Sequence, residues 1–425
     1  MRRAVRAAAL AVLCVVTVVG AEEAPTTAPP PLRVGIAQRA EEVAVGSAAD
    51  YSVRWGSEEV TIAGGAAVTF AAGGRRRIGI AFPDGTRRAA LDSAVSVTPT
   101  TAPLEYMPPE AGGAHRAYHG TFEIVIDAAH QLSLVDVVGV EDYLLGVVGR
   151  EMSPTYPAEA LKAQAVAART YALRGRDRHR ADGFDVCGTE HCQVYGGMAA
   201  EKPTTTDAVT ATAGEVVWYG DGPALTLFSS TCGGITEDFE AVYGGAPIPY
   251  LRSVPDYEPT DPVGIPPPQS EDGLVAWLRG TPRAHCLQPR LGRYEVFRWV
   301  EVRERAALEA ALGAWGLKGD FLGFEVVKRG KSGRIGKLIA HGSTRDATLE
   351  TESAIRDALG LRSSAFVMDA YPRSGRPAVV IFWGGGWGHG VGMCQMGAVG
   401  LALDGWGYQA ILQKYYTGVE IRKMY

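Results

Sequence analysis

Glu151 lies at the break between two helical patterns in the stretch from Val140 to Arg174. Apolar residues recur at helical spacing before it and a run of small residues follows it, which predicts a helix, a break and a second helix. Gly149 and the pair Ser153-Pro154 are expected to end the first helix, and Pro157 to begin the second. Burial and the negative end of the helix dipole would both raise the pKa of the Glu151 carboxyl. A carboxylic acid that stays protonated near neutral pH is what general acid catalysis requires.

Two basic residues, Lys162 and Arg169, follow on the second helical pattern. Their spacing corresponds to about two helical turns, so they are predicted to project from one face and to bind a polar substrate held over Glu151. The same pattern also fits a solvated charged face, with Glu151 as an ordinary loop carboxylate. Spacing alone does not separate these two interpretations.

Three later stretches carry side chains that suit hydrogen bonding to hydroxyl groups. Amides, hydroxyls and a phenol offer donors and acceptors, and an aromatic ring can pack on the apolar face of a sugar. The candidate substrate-binding residues in these stretches are Gln193, Tyr195, Ser229, Ser230, Thr231, His389 and Gln395. The serines lack a G-x-S-x-G turn and the Gly-rich turn around His389 lacks G-K-[ST], so neither a serine nucleophile nor a phosphate loop is predicted.

Cysteine and histidine residues are grouped in one short segment. Cys187, His191 and Cys192 are close in sequence and His179 lies upstream, a set of four ligands that suits a structural zinc site. Disulfide formation is the competing interpretation, because an exported chain meets an oxidising environment. The other cysteines that follow the N-terminal segment are Cys232, Cys286 and Cys394.

Four motifs, in this order along the chain, resemble the SpoIID/LytB family, the group of sporulation stage II protein D and amidase enhancers. The motifs are GVVGREM…EALKAQAVAARTYAL (146–173), CGTEHCQVYGG (187–197), FSSTCGGITED (228–238) and GWGHGVGMCQMGA (386–398). The resemblance implies that Glu151, in GREM, is the catalytic acid of a peptidoglycan lytic transglycosylase. It also implies a preference for glycan stripped of its stem peptides, and some members carry zinc beside the active site through such a Cys/His cluster.

The implied reaction cleaves the bond between N-acetylmuramic acid and N-acetylglucosamine and leaves a 1,6-anhydro end. Glu151 would protonate the glycosidic oxygen and then take the proton from the C6 hydroxyl. This chemistry requires no cofactor, and a zinc ion would be structural. The alternative is a non-catalytic protein that binds glycan strands and enhances a cell-wall amidase, which would be its partner.

Residues 1–21 are expected to be a signal peptide, since Arg2, Arg3 and Arg6 precede a short apolar run that ends in small residues. An uncleaved signal anchor is the alternative. The protein is therefore expected to be exported to the periplasm or cell envelope, with no membrane span beyond this segment. The formal net charge is −5, which argues against nucleic acid as a partner.

The rest of the chain predicts an α+β fold. Residues 22–31 form a Pro-rich linker, and short β-prone runs over residues 32–105 predict a small β-rich module. Residues 106–425 are expected to form the SpoIID-like mixed domain that contains the helix-break-helix.

Overall fold

The computed structural model describes residues 30–74, 76–91, 94–108, 114–127, 129–257, 270–291, 293–373 and 375–425. The expected signal peptide and most of the Pro-rich linker lie outside these residues. The fold is of the α+β class and begins with a β-rich region, which confirms the prediction. Within the described part of the chain, none of the helices has the length and apolar character of a membrane span.

Two sheets form the N-terminal half. Their strands are β1 (Pro31–Ala40), β2 (Glu42–Ser47), β3 (Tyr51–Trp55), β4 (Glu58–Ile62), β5 (Ala67–Ala72), β6 (Arg77–Ala81), β7 (Arg87–Leu91), β8 (Val95–Pro99), β9 (Leu104–Met107), β10 (Arg116–Tyr118), β11 (Thr121–Ile126), β12 (Leu132–Gly139) and β13 (Val186–Cys187). One sheet has the strand order β13-β1-β12-β11-β8-β3-β4, and the other has β10-β9-β2-β5-β6-β7. Alternate residues along these strands face a shared core; in β8, for example, Val95 and Val97 are buried while Ser96 is partly exposed.

The larger sheet contains strands from both sides of the domain boundary expected at residue 105. Strand β11 pairs with β8, and β12 pairs with β1. The core of the two sheets also continues into the first helix, where Tyr143, Leu144 and Val147 are buried. The domain division stays a prediction, but the β-rich region and the first helix share one hydrophobic core.

The predicted helix-break-helix is present. The helices of the chain are α1 (Val140–Glu151), α2 (Ala158–Arg174), α3 (Pro203–Ala211), α4 (Phe239–Val242), α5 (Glu271–Arg279), α6 (Tyr294–Phe297), α7 (Arg305–Gly313), α8 (Glu352–Leu359), α9 (Gln395–Leu403) and α10 (Tyr408–Tyr415). Helix α1 ends at Glu151 because Met152 and the residues before Pro154 leave the helical conformation. Pro157 is the N-cap of α2. Glu151 is therefore the last residue of α1.

Gly149 does not end α1, contrary to the prediction, and lies inside the helix. A Cβ at this position would come within 2.2 Å of the backbone oxygen of Ala200. A Cβ at Gly146 would likewise come within 2.5 Å of the Tyr195 ring. These glycines serve close packing of α1 against the segment around residues 195–200.

Helix α2 is buried on almost all sides, as its run of alanines suggests. Arg169 lies inside this interface and is 0% exposed. Its guanidinium donates to both carboxylate oxygens of Glu141, on the first turn of α1, at 2.8 and 2.7 Å. It also donates to the backbone oxygens of Val209 and Glu215. The ion pair therefore joins α1 to α2 at the far end of α1 from Glu151.

The C-terminal half is built from smaller sheets. Its strands are β14 (Glu215–Tyr219), β15 (Gly222–Pro223), β16 (Phe228–Ser229), β17 (Arg298–Glu304), β18 (Phe321–Arg329), β19 (Ile335–Gly342), β20 (Ala347–Leu349), β21 (Phe366–Tyr371), β22 (Val379–Gly385), β23 (Met393–Cys394) and β24 (Glu420–Lys423). Two three-stranded sheets, β17-β22-β21 and β18-β19-β20, share a core with α7 and α8. The short parallel pairing of β16 with β23 is the feature that matters for the site, because it brings the third and fourth family-like motifs beside each other.

Candidate active site

The Glu151 side chain receives hydrogen bonds from two distant parts of the chain. The backbone N–H of Val194 donates to Oε1 at 3.1 Å, and the amide of Gln395 donates to Oε2 at 3.4 Å. Both donors are neutral groups. Within the part of the chain that the structure describes, the carboxyl is thus held in position without an ion pair.

Gln395 is positioned by the start of α9, of which it is the first residue. Its amide nitrogen also lies 3.3 Å from the side-chain oxygen of Gln164, a fully buried residue of α2. Cys394 caps the helix, because its sulfur accepts a hydrogen bond from the backbone N–H of Gly397. The Gln164–Gln395–Glu151 chain of polar contacts therefore connects α2, α9 and the end of α1.

Burial is the main influence on the pKa of Glu151, and it raises that pKa above its ordinary value. The hydrogen bonds from Val194 and Gln395 oppose the rise because they favour the charged form. The charge of the exposed Glu190 raises the pKa further, and that of Arg150 lowers it. The balance favours a protonated carboxylic acid over a wider pH range than for a solvated glutamate.

A cleft of 280 Å³ opens over Glu151. It is lined by Gly149, Arg150, Glu151, Met152, Ser153, Tyr156, Ser230, Arg293, Gln395 and Met396. Among these described residues Glu151 is the only carboxylate. The other polar groups are two guanidinium groups, hydroxyls and an amide, so the cleft combines one acid with donors for an oxygen-rich, anionic or neutral ligand.

Arg293 is the principal cleft residue that the sequence does not reveal. It lies just before the short helix α6, and its buried Nε atom has no hydrogen-bond partner among the described residues. A buried donor without a partner is uncommon in a folded protein and indicates a group that a ligand can satisfy. No local pattern marks Arg293, because only the tertiary fold brings its loop to the cleft. Gln164, by contrast, is a polar residue in an alanine-rich helix, and this is a signal that the sequence does contain.

Two predicted binding residues, Gln395 and Ser230, do lie at the cleft. Ser230 lines it directly, and its backbone oxygen accepts a hydrogen bond from Met396. Contact of these two residues with a substrate stays a prediction.

Arg169 must be removed from the predicted substrate-binding set. It is completely buried and its donors are taken by Glu141 and by backbone oxygens. Lys162 lies elsewhere on α2: it pairs with Glu159 at 2.7 Å and lies 5.8 Å from the ring centre of Tyr408, so it serves the contact between α2 and α10. Both residues lie on one helix, as their spacing predicts. The spacing does not show which parts of the protein pack against each side chain.

Gln193 and Tyr195 are also corrected from binding residues to buried structural residues. Gln193 is 1% exposed, accepts a hydrogen bond from the Tyr143 hydroxyl and donates to the backbone oxygen of Ala168. The Tyr195 hydroxyl donates to Asp136 at 2.9 Å, and its ring packs on Tyr143. Both side chains are therefore occupied inside the protein, and it is the neighbouring backbone N–H of Val194 that reaches Glu151.

Ser229 and Thr231 point into the protein, unlike Ser230 between them. Ser229 accepts a hydrogen bond from the backbone N–H of Gly390 at 3.1 Å, and Thr231 is 0% exposed. This alternation is what a short strand imposes on neighbouring residues. The predicted binding role of Ser229 and Thr231 is therefore corrected to a structural one.

His389 bonds to the backbone through both ring nitrogens. Nε2 donates to the oxygen of Phe228 at 2.9 Å, and Nδ1 accepts from the N–H of Val391 at 3.0 Å. Desolvation, together with the charge of Arg334, lowers the pKa of His389 to about 3, so the ring is neutral near pH 7. His389 is not among the cleft-lining residues, and its predicted role in substrate binding is replaced by a role in joining two motif loops.

The four predicted metal ligands come together. The sulfur of Cys192 lies 3.4 Å from His179 Nε2 and 3.6 Å from His191 Nδ1, and the sulfur of Cys187 lies 3.7 Å from the same His191 atom. A tetrahedral zinc ion with ordinary bond lengths separates its sulfur and nitrogen ligands by about 3.6 Å. The four ligand atoms all lie within 4.8 Å of one another, so the donor set fits zinc.

This set is close to Glu151 along the chain. Val194, whose N–H binds the Glu151 carboxyl, follows Cys192 by two residues. A metal ion held by His191 and Cys192 would therefore restrict the segment that supplies one of the two donors to Glu151.

The structure thus combines an α+β fold, one acid in a polar cleft and a Cys/His cluster nearby in sequence. These features agree with the resemblance that the four sequence motifs carry. A family model described as Stage II sporulation protein (SpoIID) matches residues 128–219, and one described as Domain of unknown function (DUF8618) matches residues 237–392. The chain is 31% identical over 302 residues to Stage II sporulation protein D of Bacillus subtilis (strain 168), covering 68% of this chain and 75% of that protein. The chain therefore belongs to the SpoIID family.

Two other relatives extend the comparison. An uncharacterized protein of Brachyspira hyodysenteriae (strain ATCC 49526 / WA1) is 32% identical over 306 residues, which is 72% of each chain. The protein named Amidase enhancer of Bacillus subtilis (strain 168) is 27% identical over 304 residues, covering 65% of this chain and 40% of that protein.

We expect Glu151→Gln to increase the free energy of unfolding at about pH 8 and to leave it nearly unchanged at about pH 4. A carboxyl whose pKa is raised on folding holds its proton more tightly in the folded state. The parent protein therefore loses stability as the pH rises from the unfolded value, about 4.3, through the folded value. Glutamine does not titrate, so the variant does not lose this stability as the pH rises. Urea unfolding across this pH range measures the difference.

Glu190→Gln is the matched control, because Glu190 is an exposed carboxylate that acts on Glu151 only through its charge. It should change stability little at either pH. A Glu151→Gln protein that is equally stable as the parent, or less stable, at about pH 8 would show that the Glu151 pKa is not raised.

Proposed function

We propose that this protein is a peptidoglycan lytic transglycosylase that cleaves the bond between N-acetylmuramic acid and N-acetylglucosamine. The observation that supports this most directly is the single carboxyl group of Glu151 in the cleft, partly buried, with a raised pKa and no ion pair among the described residues. Membership of the SpoIID family gives the cell-wall context. In this proposal the signal segment exports the protein to the periplasm or envelope.

In the proposed reaction, Glu151 first donates its proton to the glycosidic oxygen while the bond from that oxygen to the muramic C1 breaks. The C6 hydroxyl of the same muramic residue then attacks C1, and its proton passes to the Glu151 carboxylate. A 1,6-anhydro ring forms, Glu151 regains its proton, and no water is consumed. One acid-base residue is sufficient for this sequence. Gln395 and the Val194 N–H would orient the carboxyl in both protonation states.

A hydrolase would need a second carboxylate to activate water or to act as the nucleophile. Glu237 and Asp238 are the nearest such pair in the motifs, and both are engaged elsewhere. Glu237 is 0% exposed and accepts hydrogen bonds from the backbone of Lys331 and Ser332. Asp238 pairs with Arg252 at 2.7 Å and with Lys331 at 2.9 Å. These contacts support a lyase over a hydrolase.

The cleft also suits a strand from which the stem peptide has been removed. Amidase action leaves a free carboxylate on the lactyl group of muramic acid, and the cleft offers the guanidinium groups of Arg150 and Arg293. The buried Nε of Arg293 has no hydrogen-bond partner among the described residues, so Arg293 is the better candidate of the two to bind a carboxylate. A cell-wall amidase that prepares this substrate is therefore the proposed functional partner, consistent with the relative named Amidase enhancer.

We expect the purified protein to release anhydromuramyl ends from peptide-free glycan strands and Glu151→Gln to release none above background. Glutamine cannot donate the proton that the leaving oxygen needs. Mass spectrometry of the products separates anhydro from hydrated ends. Glu190→Gln should retain activity. Hydrated ends would identify a hydrolase, and binding of glycan without cleavage would favour the amidase-enhancer alternative.

We expect Arg293→Ala to raise KM for peptide-free strands by about 10- to 100-fold with a smaller change in kcat, since a charge-assisted hydrogen bond contributes about 1.5–3 kcal/mol. The variant should also lose most of the preference for peptide-free over peptide-bearing strands. Arg290→Ala, a nearby exposed arginine, is the control. A variant that keeps the parent preference would show that Arg293 does not read the lactyl group.

We propose that His179, Cys187, His191 and Cys192 hold one structural zinc ion. We expect His191→Ala to lower the zinc content by about one ion per chain, because three ligands bind zinc much more weakly than four. His341→Ala, a partly exposed histidine paired with Asp346, is the control and should not lower it. Inductively coupled plasma mass spectrometry measures the zinc. An unchanged content in His191→Ala would remove this site from the proposal.

A further inference from the structure

A second group of cysteines lies in the interior. Cys232, Cys286 and Cys394 come from three separate segments, and Asp256 comes from a fourth. Their exposed fractions are 3%, 0%, 0% and 0% in the order Cys232, Cys286, Cys394, Asp256. The three sulfur atoms and a carboxylate oxygen all lie within 4.8 Å of one another. We name these four residues the buried cysteine cluster.

The spacing within the buried cysteine cluster fits a tetrahedral metal ion. The sulfur atoms of Cys232 and Cys286 are 3.7 Å apart. Two thiolates on one zinc ion, with Zn–S bonds of about 2.3 Å at the tetrahedral angle, are separated by about 3.8 Å. Three thiolates and a carboxylate are ligands that zinc accepts.

Hydrogen bonds around the buried cysteine cluster leave room for the ion. Asp256 accepts from the Tyr415 hydroxyl on Oδ1 at 2.5 Å and from the N–H of Cys286 on Oδ2 at 2.9 Å. Each carboxylate oxygen has a second lone pair, so Asp256 can be hydrogen-bonded and ligate at once. The sulfur of Cys394 accepts from the N–H groups of Cys232 and Gly397. Such neighbours orient the ligands of protein metal sites.

The charge of the surroundings favours an anionic centre here. Arg298 is 7% exposed, and its charge acts on Cys286 and Cys232. Its hydrogen bonds go to backbone oxygens, namely those of Gly233, Gly280, Trp277 and Phe297. A buried guanidinium without a carboxylate partner, among the residues the structure describes, calls for a nearby negative charge. Zinc with three thiolates and one carboxylate carries a net negative charge and supplies it.

A disulfide explains the buried cysteine cluster less completely. One disulfide would use two of the three sulfur atoms and would leave the third thiol and the Asp256 carboxylate buried together beside it. A metal ion engages all four groups. We propose that Cys232, Cys286, Cys394 and Asp256 form a second structural zinc site, which fixes the segments that carry Ser230, Arg293 and Gln395 at the cleft.

The test is a zinc count on the full chain, which does not depend on glycan cleavage. We expect about two zinc ions per chain in the parent and about one in His191→Ala, where the buried cysteine cluster is unaltered. Cys286→Ala should lose about one ion, and Cys286→Ala with His191→Ala should lose both. No zinc in His191→Ala would overturn the proposal, as would a disulfide between any two of the three buried cysteines in peptide mapping.

Cobalt substitution gives a second readout that needs no change in the interior. The His191→Ala protein loaded with Co²⁺ should show the thiolate-to-metal absorption and the tetrahedral ligand-field bands of a sulfur-rich site. A Co²⁺-loaded protein without these absorption bands would overturn the proposal even if Cys286→Ala did not fold. Removal of zinc from the His191→Ala protein should also make Cys232, Cys286 and Cys394 more reactive toward a thiol reagent under native conditions, as measured by peptide mapping of the labelled cysteines. Unchanged labelling of these three cysteines would contradict a structural role.

Discussion

The site depends on a carboxyl group that is partly buried and forms no ion pair with any residue that the structure describes. Helix α1 carries a glutamate at each end, and the two carboxyl groups have different partners. Glu141, on the first turn, takes the buried guanidinium of Arg169, which holds the pKa of Glu141 below its ordinary value despite burial. Glu151, on the last turn, receives a backbone N–H and an amide, both of them neutral donors. An arginine paired directly with Glu151 would have kept it charged, and the contacts from two neutral donors leave burial as the main influence on its pKa.

The donors to Glu151 lie far from it in sequence, so their positions depend on how closely two loops can approach. Strand β16 and strand β23 pair in parallel, and Gly392 next to them has a positive φ of 73°. A Cβ at Gly392 would come within 2.1 Å of the backbone oxygen of Leu227. Only glycine permits this approach, which sets the start of α9 and hence the amide of Gln395 beside Glu151.

The sequence predicts the local features of this protein well and its three-dimensional neighbourhoods less well. The α+β class, the helix-break-helix and the Cys/His grouping follow from periodicity, prolines and contiguous ligands, which are local signals. Arg169 and Gln193 have the chemistry of binding residues, and nothing near them in sequence shows that Glu141 and Tyr143 occupy them instead. Arg293 is the opposite case, a cleft residue that the sequence does not predict. Its own segment carries no motif, and tertiary packing alone brings it to the cleft.

The two cysteine groups flank the acid in a related way. Val194 follows Cys192 by two residues, and Gln395 directly follows Cys394. Each donor to Glu151 is thus covalently close to a sulfur of a different group. A displacement of either sulfur by a few tenths of an ångström would change the length of a hydrogen bond that favours the charged carboxylate. Since those bonds oppose the effect of burial, a displacement of the cysteines would shift the pKa of Glu151 without any substitution in the cleft.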